Sequence, residues 1–251
     1  MIDDTAQPDL PRALALAWGA TPSPQRGPKR EFSLDQVLDA ALAIADADGL
    51  DAVTMPAVAS ALGLTAMSLY RYVASKDTLV LLLQERGMGL PPASIGAANG
   101  WRAGLEAYAE ASGAVYRCHP WMLDIPIEGI TSTPNNLAWL EAGLAALADT
   151  ALTRAERVAV VLQVSGHARF RGVVERGYAV RADEAGAGLS TFVLAEARLL
   201  DRLVTKQRFP ELHATLGSGA LTDDRFENFD FGLARLLEGI AQYEARAADP
   251  T

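Results

Sequence analysis

Cysteine is almost missing from this sequence of 251 residues, in which Cys118 is the single example. One cysteine excludes an intrachain disulfide and a zinc site built on cysteines, so we interpret Cys118 as a small buried hydrophobe. Only three histidines are present, at positions 119, 167 and 213, and their spacing matches no metal-binding motif. We therefore expect no metal site.

Long apolar runs are missing as well. Near the N-terminal region the longest run is residues 79–83, far shorter than the roughly 20 residues that span a bilayer. Asp3 and Asp4 occupy the place where a signal peptide carries basic residues, and no apolar stretch follows them cleanly. Together with the scarcity of cysteine, this pattern predicts a cytoplasmic protein that has no membrane partner.

Positive charge is in short supply, with 22 Lys and Arg against 31 Asp and Glu and a net charge of −9. This balance argues against unspecific nucleic-acid binding, but local clusters of cations still favour phosphate contacts. Arg26, Lys29 and Arg30 lie within five residues, and Arg71 and Lys76 flank a candidate recognition element. Contacts to nucleic acid are therefore expected at these two places.

Signatures of strands and of catalysis are weak. Aromatic residues make up 7% of the chain, β-branched residues are sparse, and Leu and Ala abound, which favours helices. No HExxH, GxSxG or GxxxxGK[ST] motif occurs, and no nucleophile stands beside a base. We predict an all-α protein that is not an enzyme, with no catalytic residues and no cofactor.

The distribution of helix signals divides the chain into three parts. Five prolines in residues 1–30 predict a mobile basic arm, with one short helical turn around residues 14–18. Residues 31–87 form a dense helical domain, and a Gly- and Pro-rich connection follows it. Residues 99–248 form a larger helical domain, with segments at roughly 99–117, 134–148, 153–181, 188–208 and 223–247.

Several helices of this scheme have recognisable start signals. Ser or Thr stands at the expected N-cap positions, which are Ser33, Thr54, Thr65, Ser75 and Thr153. Gly49 and Gly63 are placed to end the first two helices, and the helix after Thr65 is predicted to run to Val73. Two short helices joined by a tight turn that contains glycine have the geometry of a helix-turn-helix.

The stretch GLTAMSLYRYVASKDTLV, residues 63–80, sharpens this prediction. It resembles the recognition helix and the following helix start of the TetR family of repressors. The resemblance covers residues 31–87 closely and is weaker beyond them, where Pro120-Trp121 and Phe231-Gly232-Leu233 look like one branch of the family's ligand-binding domains. It implies a three-helix helix-turn-helix DNA-binding domain followed by a larger helical ligand-binding and dimerisation domain.

The function implied by the resemblance is that of a ligand-responsive transcriptional regulator. Such a protein represses from a near-palindromic double-stranded DNA operator and is released by a small-molecule effector. An activator, or an adaptor controlled by a protein partner, is the alternative within the helix-turn-helix class. A helical enzyme is a third alternative, which the missing catalytic motifs disfavour.

The resemblance also assigns DNA contacts. Its base-reading positions correspond to Thr65, Ala66, Met67, Ser68 and Tyr70, and its phosphate-contacting positions correspond to Tyr72 and Lys76. Ala66 and Met67 can contact thymine methyl groups but donate no hydrogen bond, which leaves Arg71 as the candidate for a guanine or a phosphate. Both tyrosines have an alternative interpretation as core aromatics.

Aromatic residues gather in the C-terminal part, and an apolar pocket between helices is lined by residues of this kind. The candidate ligand-binding residues are His119, Trp121, Trp139, His167 and Phe170. They predict an apolar or aromatic effector. For each of these residues, a place in the core is the alternative.

Two long segments are suited to self-association. Residues 153–181 carry a seam that includes Val161, Leu162, Ala168, Gly172 and Val173, and residues 226–243 carry a second apolar seam. One recognition helix reads too few bases for a specific site, whereas a two-fold dimer reads two half-sites. We therefore expect a homodimer.

Overall fold

The computed structural model describes residues 10–20, 31–220 and 227–248, and every regular element in those ranges is a helix. The all-α prediction is therefore confirmed. The chain divides into a first unit, Met1–Ala98 with Ala114–Ala146, and a second unit, Asn99–Gly113 with Leu147–Thr251. Among the helices in the described ranges, none combines the length and the apolar character that crossing a bilayer requires.

The helices have the following bounds in chain order: α1 (Arg12–Ala17), α2 (Leu34–Asp48), α3 (Met55–Ala61), α4 (Ala66–Leu69), α5 (Lys76–Met88), α6 (Trp101–Cys118), α7 (Pro134–Ala146), α8 (Arg154–Glu184), α9 (Leu189–Leu203), α10 (Pro210–Gly217) and α11 (Glu227–Ala248). Two short 3-10 helices, Leu50–Ala52 and Pro120–Asp124, also belong to the first unit. Helix α6 begins in the second unit and ends in the first.

The predicted caps are present. Each side-chain oxygen accepts the backbone N–H three residues later, at Ser33, Thr54, Thr65, Ser75 and Thr153. Gly49 follows α2 with φ of 82°, a backbone conformation that glycine adopts without strain. These local hydrogen bonds explain why most of the predicted helix starts agree with the structure.

The core of the first unit joins the helix-turn-helix to a segment that is distant in sequence. Leu69 of α4 and Leu79 and Leu83 of α5 are fully buried in a core that also contains residues of α2 and α3. Trp121 and Met122 belong to the same core, although the sequence assigned them to a separate domain. Residues 114–146 therefore fold with the N-terminal part, unlike the predicted single domain of residues 99–248.

Other elements differ from the predictions as well. Residues 12–17 are not part of a mobile arm, because Leu16 and Ala17 pack against the core of the first unit and Trp18 Nε1 donates to Ser132 O at 3.0 Å. Helix α4 ends at Leu69, four residues earlier than predicted. Cys118 is exposed at the end of α6 and is not a buried hydrophobe.

In the second unit, α8 packs against α9 and α11. The inward face of α8 contains Val161, Val164, Ala168 and Gly172, all of which are buried. Val161, Ala168 and Gly172 were predicted to form an intersubunit seam, so that part of the prediction is wrong. These three residues fill the interior of their own unit instead.

Candidate nucleic-acid interface

Helix α4 is short, and its position is fixed at both ends. Thr65 Oγ1 accepts the backbone N–H of Ser68 at 3.2 Å and lies 3.0 Å from the Ser68 hydroxyl. Leu69, at the other end, is fully buried, as is Val73 just beyond the helix. A cap and two core side chains thus hold a helix that is too short to be stable alone.

The outer side of α4 presents apolar and cationic groups together. Met67 is 78% exposed, and Tyr70 and Arg71 are also exposed. Ala66 and Ser68 are partly buried beside them. An exposed Met and Tyr next to a guanidinium suit a DNA groove, where apolar atoms contact base methyl groups and the cation meets an acceptor or a phosphate.

Tyr72 does not share this surface. Its side chain is only 4% exposed, and its hydroxyl accepts the backbone N–H of Phe32 at 3.3 Å. Its ring is therefore a core group, as the alternative interpretation had it. Only the hydroxyl end of Tyr72 remains as a possible phosphate contact.

Lys76 lies in the first turn of α5, directly after the Ser75 cap, and is exposed. The positive end of the helix dipole disfavours a cation at this position, unless an anion binds both the helix N-terminus and the Lys76 ammonium. The free amides of the first turn and the ammonium together form a favourable place for a phosphate. The predicted cations Arg26, Lys29 and Arg30 lie outside the described residues.

The five predicted pocket residues fall into both units. In the first unit, His119 Nδ1 and Trp121 Nε1 each lie 2.7 Å from Asp46 Oδ1, and Trp139 Nε1 donates to Gly89 O at 3.0 Å. Trp121 is 2% exposed, so it is a core residue there.

The other two predicted pocket residues, His167 and Phe170, lie on α8 in the second unit. Each ring contacts that of Phe229 on α11, at centroid distances of 5.9 and 5.6 Å. His167 is partly buried, whereas Phe170 is exposed. Of these two residues, His167 therefore combines a polar ring with partial burial, and Phe170 does not.

An open groove between α8 and α11 was missed by the sequence reasoning. It has a volume of about 420 Å³ and a mainly apolar wall that includes Val160, Leu236 and Ile240. At its rim the Tyr243 hydroxyl donates to Glu156, and this hydrogen bond lowers the pKa of the Glu156 carboxyl. The spacing of its apolar residues was visible in sequence, but the space between the two helices was not.

Comparisons with known proteins decide the family. Residues 37–83 match the profile of bacterial regulatory proteins of the tetR family, and residues 96–243 match that of the tetracyclin repressor-like C-terminal domain. The chain is 35% identical over 236 residues to the HTH-type transcriptional repressor DrrR1 of Streptomyces coeruleorubidus, which covers 92% of this chain and 86% of that protein. The chain belongs to the TetR family. The predicted assignment to a family of DNA-binding transcriptional regulators, and not to enzymes, is thereby confirmed.

Solved structures of TetR-family proteins have the same fold. Apo ActR from Streptomyces coelicolor matches with a TM-score of 0.69 at 21% identity, over 86% of this chain and 98% of that one. ActR in complex with actinorhodin matches with a TM-score of 0.69 at 19% identity, over 85% and 98%. At these identities the likeness establishes the fold alone.

Proposed function

We propose that this TetR-family chain is a repressor that binds a near-palindromic operator as a homodimer and leaves it when a small molecule binds. The observation that carries the proposal is the exposed surface of α4 and of the turn directly after it, where Met67, Tyr70 and Arg71 are exposed next to a cap and a buried leucine that hold the helix. The protein acts in the cytoplasm, where its operator lies.

On DNA, we assign base contacts to the α4 segment, namely to Thr65, Ala66, Met67, Ser68 and Tyr70. Arg71 takes a guanine or a phosphate, and Lys76 takes a phosphate next to the first turn of α5. The basic cluster of Arg26, Lys29 and Arg30 adds contacts to the backbone or to the adjacent minor groove.

The Lys76→Ala variant is expected to weaken binding to all duplexes alike and to lower the slope of log affinity against log salt by about one unit. The reason is that one phosphate contact, and the counterion it displaces, is lost. Fluorescence anisotropy between about 50 and 200 mM salt measures this slope. Lys206→Ala, which removes an exposed cation of the second unit, is the matched control. A slope for Lys76→Ala equal to that of the control removes Lys76 from the interface.

The homodimer is supported by an exposed apolar stripe along α8. Eight exposed residues recur at spacings of three or four, and all are apolar or glycine: Ala155, Ala159, Leu162, Gly166, Phe170, Val173, Gly177 and Val180. This periodicity places them on one side of the helix, which is the pattern of a helix–helix seam. No charged residue interrupts the stripe, and the glycines allow another helix to approach closely.

The partner in this interface is a second copy of the chain. A stripe of this length is unusual on the surface of a monomer, and it lies beside the groove between α8 and α11, which is also apolar. Two-fold pairing of α8 and α11 with the same helices of another copy buries both features. It also presents two α4 helices to successive turns of the DNA.

The effector is proposed to be an apolar or aromatic small molecule bound by the C-terminal domain. ActR, which has the same fold, has been solved with actinorhodin. Of the five aromatic candidates, His167 is partly buried in the second unit and is the first to test, followed by Trp139, His119 and Trp121. Phe170 is assigned to the dimer seam instead.

Actinorhodin serves as the first probe of this proposal. Minocycline, with which a variant of TetR from Acinetobacter baumannii AYE has been solved, is the second. A polycyclic aromatic effector is expected to raise the melting temperature, because it binds the folded state only, and to release a bound operator duplex. Differential scanning fluorimetry and anisotropy measure the two effects. If neither probe shifts the melting temperature or releases DNA at solubility-limited concentration, the polycyclic aromatic class is wrong for this chain.

A further inference from the structure

Met67 differs from the other methionines of the chain in its exposure. It is 78% exposed, the largest fraction of any large hydrophobic residue in the ranges that the structure describes. Met55 and Met122 are buried in the core of the first unit, and Met88 is partly buried against that core. Met1 lies outside the described residues. Of the four methionines that can be compared, Met67 is therefore the one whose thioether is most accessible to dissolved reagents.

The backbone that carries Met67 is held on both sides. Met67 lies inside α4, between the capping Thr65 and the fully buried Leu69. The cap fixes the start of the helix and the leucine fixes its inner face. The Met67 side chain therefore stays outside the core as long as the first unit is folded.

The hydroxyl groups beside Met67 are occupied within the helix. Thr65 Oγ1 accepts the Ser68 backbone N–H at 3.2 Å and lies 3.0 Å from Ser68 Oγ, so one of the two hydroxyls donates to the other. Ala66 has no polar side-chain atom, whereas Met67 and Tyr70 are both exposed. Any recognition of base edges by α4 therefore depends mainly on the apolar atoms of Met67 and Tyr70.

Oxidation reverses the chemistry of an apolar thioether. The sulfoxide is a polar group, and its formation turns a flexible apolar side chain into a polar one. With hypochlorous acid, the sulfur gains the oxygen atom and loses two electrons, the chlorine is reduced to chloride, and one proton is released. A sulfoxide oxygen that is pressed against a thymine methyl group loses its water and gains no hydrogen-bond donor, which is unfavourable.

We propose that Met67 is a redox-sensitive modification site, whose oxidation to the sulfoxide by a hypohalous acid weakens operator binding. The inference rests on the proposed base contacts of α4. Oxidation releases the DNA without any ligand in the C-terminal domain, so that one operator responds to an effector and to an oxidant. Bound DNA covers Met67 and protects it. Reduction by methionine sulfoxide reductases restores the thioether and the affinity.

The test measures operator affinity by anisotropy before and after treatment with hypochlorous acid. The duplex is an operator obtained by in vitro selection with the untreated full-length chain, and each protein is compared with its own untreated form. Wild type is expected to lose about tenfold or more in affinity on oxidation. Met67→Leu keeps an apolar side chain but has no sulfur at this position, so the treatment is expected to leave its own affinity unaltered.

Two control variants remove other sulfur atoms of the first unit. Cys118→Ser removes the exposed thiol, and Met88→Leu removes the partly buried thioether. Both are expected to lose operator affinity on oxidation as wild type does, because both retain Met67. Peptide mass spectrometry with and without bound operator locates the added oxygen and measures the protection of Met67.

A reductase step distinguishes the sulfoxide from other products. Hypochlorous acid also chlorinates tyrosine rings, and Tyr70 is exposed beside Met67. Methionine sulfoxide reductases for the two sulfoxide epimers reverse oxidation of the thioether only. Incubation with both enzymes is expected to return the oxidised wild type to its original operator affinity.

The outcomes separate the inference from the proposed function. The modification site alone is overturned if Met67 stays unoxidised, if the sulfoxide form binds the operator as before, or if Met67→Leu loses affinity as wild type does. A loss that Cys118→Ser abolishes, that the reductases do not restore, or that circular dichroism traces to unfolding likewise overturns it. An untreated wild-type chain that selects no operator overturns the proposed function, and the inference with it.

Discussion

Phe170→Glu is expected to separate the proposed dimer and to lower operator affinity by about 100-fold or more. Phe170 is 60% exposed at the middle of the α8 stripe. Two-fold pairing would place it and its symmetry mate in a desolvated seam, where two unpaired carboxylates are strongly unfavourable. In a dimer, the second DNA-binding domain is linked to a domain that already occupies the first half-site, which raises the affinity for the whole operator. A monomer lacks this linkage and binds each half-site independently.

Sedimentation equilibrium and anisotropy measure the two parts of this effect. Leu194→Glu is the matched control, since Leu194 is 46% exposed on α9 and lies outside the stripe. It should remain a dimer with wild-type operator affinity. A Phe170→Glu protein that stays dimeric at micromolar concentration, or a monomer that binds the operator as wild type does, contradicts the assignment of the α8 stripe.

Trp121→Ala is expected to lower the free energy of unfolding by about 3–5 kcal/mol. The side chain is 2% exposed in the core of the first unit, so its removal leaves a large cavity. It also removes the Nε1–H that donates to Asp46 at 2.7 Å. Urea denaturation followed by circular dichroism measures the loss.

The comparison variant is Trp18→Ala, which truncates a tryptophan that is about half exposed. A loss of about 1 kcal/mol is expected for it, from one exposed hydrogen bond and little burial. If both variants lose equally little, Trp121 does not belong to the core. A pocket-lining role for Trp121, as first expected from the sequence, would then regain support.

Local features of the first unit were predictable from the sequence. The starts of α2, α3, α4 and α5 follow from Ser33, Thr54, Thr65 and Ser75, since a cap needs only an oxygen and an amide three residues later. The helical spacing of the apolar residues of α2 is likewise visible within a short stretch of sequence. The residues proposed to contact DNA came from the resemblance to the TetR family, whose base-reading positions were carried over one by one.

Contacts between distant parts of the chain were not predictable in this way. Asp46 meets Trp121 across 75 residues, and Glu85 meets Asn135 across 50. No local spacing signals either pair. This explains why residues 114–146 were placed in the C-terminal domain and why Trp121 was expected to line a pocket.

The sequence also did not show which side of a helix faces the interior of the protein. Helix α8 carries apolar residues on its interior side, such as Val161 and Ala168, and on its exposed side, such as Leu162 and Val173. Both sets have helical spacing, so the sequence merged them into one seam. Only packing within the second unit separates the buried set from the exposed stripe.

The central claim is that this TetR-family protein reads an operator as a two-fold dimer. In vitro selection with the full-length chain from a library of random duplexes tests it, followed by footprinting on the selected site. The expected result is an enriched near-palindrome in which two half-sites are protected. The centres of the half-sites should lie one DNA turn apart, roughly 10 base pairs, or a whole number of turns apart. Recovery of no enriched sequence, or of a single unrepeated half-site bound by one chain, would contradict it.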